Sequence, residues 1–418
     1  MKESFPRDLQ YYKFSLYGFL KNLKFFDPFI ILFFREMGLS FLEIGTLFSI
    51  REIATNVFEI PTGIIADSFG RRMSMVFSFI SYIISFLMFF FFPNFIIYIF
   101  AMIIFASGEA FRTGTHKAMI LEYLKINNLT KYKVDYYGHT RGWSQFGSAI
   151  SSLIAAALVF YSGSYKIIFL ASIVPYVADL ILMLTYPKEL DGEIMKEREG
   201  GKKKFIHQIA ATFKDFIFIF KSKYILKALL NSAFYDGAFK TVKDYLQPIL
   251  KQYAIMIPIF LYMEKEKRIS IVIGFVYFIL FLLTSFSSRN SDRISKRMRS
   301  LPTAINVAYL VGMGLIAITG FLIHLNLYIP GIIIFVVFYM LENIKRPMNL
   351  GYLSDLISSR VMASGLSGES QLKTVVVAIL SPIMGFFADK IGVGGALMVI
   401  AGILLIIFPL ASVKRIEE

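Results

Sequence analysis

The chain contains no cysteine among its 418 residues, and it has only one tryptophan and four histidines. Without cysteine it can form neither a disulfide framework nor a thiolate metal site. It also shows no glycine-rich nucleotide-binding loop, no nucleophile constellation and no metal-ligand spacing. These absences argue against an enzyme and against a self-contained ATP-driven pump. We therefore expect no catalytic residues, no metal site and no cofactor.

Charged residues are scarce as well, at 17% of the chain, whereas soluble domains contain about 25%. Hydrophobic residues make up 56% and aromatic residues 16%, and the mean hydropathy is +0.63. A chain of this composition cannot hide its apolar surface in one or two soluble cores, and the lipid bilayer suits it better. The composition therefore predicts an all-α membrane protein with many spans.

Twelve stretches can cross a bilayer as helices, since a spanning helix needs about 20 mostly apolar residues. Tight turns such as Phe92-Pro93-Asn94 and Ser162-Gly163-Ser164 separate several of them. We number these predicted spans 1 to 12, and they cover residues 12–35, 42–66, 73–92, 95–123, 139–161, 165–186, 225–252, 269–290, 300–322, 326–350, 361–388 and 393–412.

The net charge of +15 is concentrated in the connections between spans. Short cytoplasmic loops carry an excess of lysine and arginine, so both termini and the loop between spans 2 and 3 are predicted to be cytoplasmic. The chain is then a multi-pass protein of the cell's inner (plasma) membrane. The basic residues form no face on a soluble domain, so nucleic acid is not an expected partner. The polar first dozen residues predict that there is no cleavable signal peptide.

The longest polar break covers residues 187–224 and is rich in lysine, glutamate and glycine. Within it, Phe205, Ile209, Phe213, Phe216 and Phe220 recur at helical spacing with lysines between them. Such a pattern is typical of a helix that lies in the membrane interface. We therefore expect an N-terminal six-helix bundle at 1–186, a cytoplasmic linker with an interfacial helix at 187–224, and a C-terminal six-helix bundle at 225–418.

Polar motifs occur twice, once in each half, at nearly the same separation. The pairs are Lys21-x-x-Lys24 with Lys240-x-x-Lys243, Glu109-x-x-Arg112 with Glu342-x-x-Lys345-Arg346, and Asp67, Arg71 and Arg72 with Asp292, Lys296 and Arg297. The agreement in separation indicates that the two halves are related along their whole length.

The stretch from Gly63 to Arg72 has the spacing G-x-x-x-D-x-x-G-R-R. It resembles the signature loop between helices 2 and 3 of the major facilitator superfamily of transporters. The resemblance implies two pseudo-symmetric six-helix bundles, with spans 1, 4, 7 and 10 around a central cavity and spans 3, 6, 9 and 12 facing lipid. It also implies a cytoplasmic gate made by Gly63, Asp67, Gly70, Arg71, Arg72, Asp292, Lys296 and Arg297. A similar sequence at Gly385–Gly392 is predicted on the outer side, and we give it no gating role.

Charged side chains in the spans concentrate where the resemblance places the cavity, and a charge within a membrane normally faces a cavity or a partner. Residues expected to contact the solute are Lys21, Lys24, Asp27, Arg112, His116, Lys240, Lys243, Gln247 and Arg346. Carboxylates expected to carry a coupling proton are Glu59, Glu109, Asp236, Asp244 and Glu342. On the α-helical pattern, Lys21 and Lys24 share one face, and Glu109, Arg112 and His116 form one stripe. The alternative is that these groups form ion pairs that hold helices together, or that His116 is a plain helix contact.

Carboxylates accompany the lysines and arginines among these residues without outnumbering them, which favours a small anionic or zwitterionic solute over a cationic one. The sequence thus predicts a monomeric secondary transporter that works by alternating access, as a symporter or antiporter with H⁺ as a possible coupling ion. One alternative is a multidrug exporter, although the glycine- and proline-rich pattern that drug/proton antiporters carry in span 5 is missing at 142–149. Another alternative is a receptor or scaffold that does not transport.

Overall fold

A computed structural model describes residues 6–192, 222–258, 261–295, 300–357 and 362–414. Fourteen α-helices are present in these ranges, and each predicted span overlaps at least one of them. Their bounds are α1 Leu9–Lys21, α2 Ile30–Glu36, α3 Phe41–Phe69, α4 Arg71–Phe91, α5 Phe95–Arg112, α6 Thr115–Ile126, α7 Lys133–Ser162, α8 Ile167–Leu184, α9 Lys223–Val242, α10 Leu246–Met256, α11 Lys265–Ser295, α12 Leu301–His324, α13 Tyr328–Leu356 and α14 Met362–Ala411. The predicted interfacial helix at 205–220 lies outside the described residues.

The all-α membrane fold predicted from composition is confirmed. Eight helical stretches of the described residues are long and apolar enough to cross a membrane. The longest of them lies in α14 and covers most of predicted spans 11 and 12. The two spans are separated at Gly392, where the backbone turns with φ of 77°. A positive φ costs glycine little, so the chain can change direction there.

The first span of each half is broken in its middle. In span 1, α1 ends at Lys21 and α2 begins at Ile30, with Pro28 in the interval. In span 7, a 3₁₀ turn at Lys243–Tyr245 separates α9 from α10, shortly before Pro248. Proline lacks the N–H that a continuous helix needs and restricts the residue before it, which fits breaks at these places. The prediction that Lys21 and Lys24 share one face of a continuous helix is therefore wrong.

Span 4 is broken as well. Its first helix, α5, ends at Arg112, and α6 begins at Thr115 after Gly114, whose φ is 78°. The predicted stripe of Glu109, Arg112 and His116 is thus only partly correct, because the turn at Gly114 separates His116 from the other two.

The helices assemble into two compact units. The first consists of Met1–Phe33, Ala54–Gly201 and Tyr262–Phe281, and in it α1 packs against α7 and α8 while α4 packs against α5 and α8. The second consists of Phe34–Ile53, Lys202–Leu261 and Leu282–Glu418, and in it α9 packs against α13 and α14. The first part of α3 thus belongs to the second unit, and the first part of α11 belongs to the first unit. The predicted division at 187–224 stays a prediction.

Candidate functional site

The polar centre of the first unit is an ion pair at the end of α5. Arg112 donates to Glu109 at 2.5 Å and to the hydroxyl of Tyr82 at 3.0 Å, and that hydroxyl donates to Glu109 at 2.6 Å. Tyr82 lies in α4 and is buried. Because each member bonds the other two, the guanidinium is held in one orientation while part of its surface stays accessible. Charge-assisted bonds of this kind can be exchanged for bonds to a bound carboxylate or phosphate.

Three more charged residues lie near this centre, at the break in span 1. Lys21 ends α1, and Lys24 and Asp27 lie in the interval before α2. Lys21 and Lys24 are half-buried, and both interact electrostatically with Glu109. Lys24 and Asp27 lie close to the hydroxyl side chain of Ser148 from α7. The structure therefore brings predicted solute residues of spans 1 and 4 together in one cationic region.

His116 lies in a different environment from the one we predicted. Its ring stacks on Tyr17 with a centroid distance of 3.6 Å, and Nε2 is 3.2 Å from the hydroxyl of Tyr186. Phe14 packs edge-on against the same ring. These contacts favour the alternative that His116 is a helix contact within an aromatic cluster.

In the second unit, two predicted cavity lysines of span 7 form ion pairs. Lys240 donates to Glu52 of α3 at 2.6 Å, and Glu52 also accepts from Arg51 at 3.3 Å. Lys243 donates to its neighbour Asp244 at 2.6 Å. Glu52 is 7% exposed, whereas the Lys240 side chain is 38% exposed, so water reaches the lysine of this pair but little of the carboxylate.

A buried polar network lies between α9 and α13 of the second unit. The Lys345 ammonium donates to Asn231 at 3.0 Å and sits 4.4 Å from the centre of the Tyr235 ring. It also interacts electrostatically with Asp236 and Glu342, which are buried. One carboxylate oxygen of each has no hydrogen-bond partner among the described residues. Two proton-coupling candidates of this half thus lie beside a buried lysine.

Two other predicted cavity residues of this half lie apart from the lysine. Gln247 of α10 is buried, whereas Arg346 of α13 is exposed. The neighbouring Lys345 is the cation of span 10 that points inward.

The loop at Gly70 is held by residues of its own unit. Gly70 has φ of 92° and precedes α4, and Asp191 accepts a hydrogen bond of 2.7 Å from the backbone N–H of Arg72. Arg71 lies 3.4 Å from a carboxylate oxygen of Glu122, and the Arg72 guanidinium donates to the Tyr186 carbonyl at 3.1 Å.

The other predicted gate residues are only partly described. The Asp67 and Asp292 side chains, and Lys296 and Arg297 entirely, lie outside the described part of the chain. Gly63 is exposed and lines a 260 Å³ pocket with Glu59 and Thr115.

Sequence reasoning assigned no site role to Tyr82, Lys345, Asp179 or Glu52, although it identified the last three as charges within the spans. Tyr82 gave no signal, because one tyrosine in an apolar helix is unremarkable. Lys345 stands next to Arg346 in the sequence. Which of the two points inward depends on how α13 is rotated about its axis relative to the neighbouring helices. Asp179 was visible as a lone carboxylate in span 6, a span that the resemblance assigned to lipid.

Comparison with known proteins agrees with this architecture. A family model described as Major Facilitator Superfamily matches residues 17–369. The chain belongs to this superfamily. It is 23% identical over 381 residues to the MFS-type transporter YxaM of Bacillus subtilis (strain 168), covering 91% of this chain and 89% of that protein.

Two solved structures show the same fold. The nucleoside transporter NupG matches with a TM-score of 0.73 at 12% identity, covering 96% of this chain and 98% of that one. A bacterial homologue of the human lysosomal transporter Spinster matches with a TM-score of 0.67 at 13% identity, covering 98% of this chain and 97% of that one. Major facilitator proteins are multi-pass membrane transporters of small-molecule solutes, and their fold is generally not used for enzymes. The family and fold predicted from the Gly63–Arg72 motif are therefore confirmed.

Proposed function

We propose that this protein is a secondary transporter that moves a small anionic or zwitterionic solute by alternating access, with H⁺ as the coupling ion. The observation that carries the proposal is the group of cations at the break in span 1, where Lys21, Lys24 and Arg112 lie around one paired carboxylate, Glu109. A carboxylate, phosphate or zwitterion finds matched donors in such a site, whereas a cation is repelled. Flux would come from alternating access, as in other members of the superfamily.

The proposed transporter has the orientation inferred from the sequence, in which both termini are cytoplasmic, and it works as a monomer in the inner membrane. Carboxylates beside the cations supply the coupling, since a carboxylate that loses its cation partner binds a proton more readily. In each half a carboxylate suited to this task lies beside a cation, Glu109 with Arg112 and Glu342 with Lys345. The gate assigned to Asp67 and Arg71 with Asp292 and Arg297 belongs to this proposal as well.

The experiment has two steps, because the solute is unidentified. Purified protein is first screened for thermal stabilisation by organic acids, phosphates, amino acids, sugars and lipophilic cations. A stabilising compound is then tested for counterflow in vesicles that contain the wild type or Arg112→Gln. We expect stabilisation by anions or zwitterions, with counterflow in the wild type and none in the variant.

Other outcomes would support the alternatives. Stabilisation by lipophilic cations, with none by anions, would overturn the proposed solute class and favour a multidrug exporter. Binding without counterflow in the wild type would favour a receptor on the same fold. The matched control is Arg141→Gln, which removes an exposed arginine of the same half that lies outside the proposed site.

A further inference from the structure

Asp179 is a carboxylate in the middle of the first unit that the proposed solute site does not use. It lies in α8, it is 0% exposed, and neither carboxylate oxygen has a hydrogen-bond partner among the described residues. An ionised carboxylate that is buried without a hydrogen bond is far less stable than one in water, whereas the neutral acid is penalised much less.

Three other buried or half-buried carboxylates of the spans are arranged differently. Glu52, Glu109 and Asp244 each have a lysine or arginine nitrogen at 2.5–2.6 Å. Each of these three carboxylates thus has a cation within hydrogen-bond distance, whereas Asp179 has none among the described residues. This contrast is a property of the geometry and does not depend on which solute is carried.

The groups around Asp179 come from several elements. Tyr17 and Lys21 belong to α1, Arg112 to α5, and Tyr186 follows α8, and each interacts electrostatically with Asp179. Among the helices packed against α8, α4 contributes Tyr82, which is bonded to Glu109 and Arg112. Arg112 is thus already occupied by Glu109.

Lys21 is the cation left for Asp179. Its ammonium has no ion pair or hydrogen bond among the described residues, and it interacts electrostatically with Asp179. When Asp179 is ionised, Lys21 is the partner available to neutralise it. When Asp179 is neutral, it no longer competes for Lys21, which can pair with another anion.

We propose that Asp179 is a proton-binding site, and that its protonation releases Lys21 to bind the anionic group of the solute. The step is the addition of one proton to the Asp179 carboxylate, which gives a neutral carboxylic acid. Proton and solute then bind together, which makes the protein a symporter. This role in transport rests on the proposed function, whereas the protonation itself does not require a solute.

The proton is the probe in the first experiment. Infrared difference spectra of purified protein at neutral pH compare the wild type with Asp179→Asn in the region of the carbonyl stretch of protonated carboxylic acids. Exposed carboxyl groups, with pKa values of about 4, are ionised under these conditions. We expect the wild type to show the absorbance of one additional protonated carboxyl group, and Asp179→Asn to lose it.

Two further variants complete this test. Asp135→Asn, which removes an exposed carboxylate of the same half, should keep the absorbance. Asp179→Glu should restore a protonated carboxyl signal at a shifted position. An identical spectrum for the wild type and Asp179→Asn would overturn the proposal, because Asp179 would then be ionised at neutral pH.

Transport separates this proposal from the proposed function. With a solute from the stabilisation screen, Asp179→Asn should lose accumulation driven by a pH gradient but keep solute counterflow. Unchanged pH-driven accumulation in Asp179→Asn would overturn the role in coupling. If Asp179 is protonated but the protein shows no counterflow, the proton site is supported and the transporter proposal is contradicted.

Discussion

Asp389 accepts a hydrogen bond of 2.8 Å from the backbone N–H of Leu42, a residue 347 positions earlier in the chain. The other carboxylate oxygen accepts from the N–H of Phe41 at 2.9 Å. The first N–H groups of a helix have no partner within it, and α3 begins at Phe41. A carboxylate of α14 therefore caps α3, and its charge is also favourable at the positive end of the helix. The sequence interpretation gave Asp389 no such role.

Replacing Asp389 with alanine should loosen the start of α3. Loss of a capping side chain costs about 0.5–2 kcal/mol. We expect a lower melting temperature, and faster maleimide labelling of a cysteine introduced at Leu39, which is buried beside the cap. The chain has no other cysteine to interfere. The control is Lys390→Gln at the exposed neighbouring position, and equal labelling in both variants would show that the cap does not hold α3.

Gly45 should not tolerate even one added carbon. A Cβ there would overlap the carbonyl of Ser381 in α14, so backbone would have to move. Overpacking of this kind costs about 1–3 kcal/mol. We expect Gly45→Ala to melt at a lower temperature than the wild type. In contrast, Gly314→Ala in α12, where nothing lies within 4 Å, should melt at the same or a higher temperature. A Gly45→Ala variant that melts at the same temperature as the wild type would contradict the close packing of α3 on α14.

The pair of Glu52 and Lys240 should respond unequally to removal of its two members. The side chain of Lys240 is 38% exposed and that of Glu52 is 9% exposed. Lys240→Met removes the nearest cation from a buried carboxylate and leaves it with Arg51 and the electrostatic interaction of Lys373, and we expect this change to cost about 3 kcal/mol. Glu52→Gln should lower the free energy of unfolding by a smaller amount, since water can solvate the lysine that is left without its partner. Thermal unfolding should also show that the double variant is more stable than Lys240→Met. A double variant less stable than both single variants would contradict this account.

The hydroxyl of Tyr82 should matter for solute binding as well as for packing. Tyr82→Phe keeps the ion pair of Glu109 and Arg112 but removes two hydrogen bonds. A hydrogen bond contributes about 0.5–1.5 kcal/mol. We therefore expect a solute from the screen to bind up to about tenfold more weakly, as measured by its Kd. Tyr98→Phe, which removes a hydroxyl bonded to the Phe89 carbonyl, serves as the control. Equal affinity in both variants would show that the Tyr82 hydroxyl does not contribute to solute binding.

The sequence predicted the spans well because each is set by local composition, and the tight turns at 92–94 and 163–164 are where it placed them. The breaks within spans 1 and 4 were not predicted, although Pro28 and Gly114 were local signals for them. Hydrophobic runs conceal such breaks, since apolar residues continue on both sides. The cap at Asp389 could not be predicted, because its partners are distant in the chain and are backbone groups that leave no mark on composition.

The cap that Asp191 forms at the start of α4 has a consequence for how the protein can be handled. The last residues before position 193 are tied to the Gly70 loop by the Arg72 N–H and by the closeness of the Arg71 guanidinium to Gly192. A chain divided between 193 and 221 would keep this tie within its first fragment. The two fragments would have to be produced together, because the first part of α3 belongs to the second unit and the first part of α11 belongs to the first.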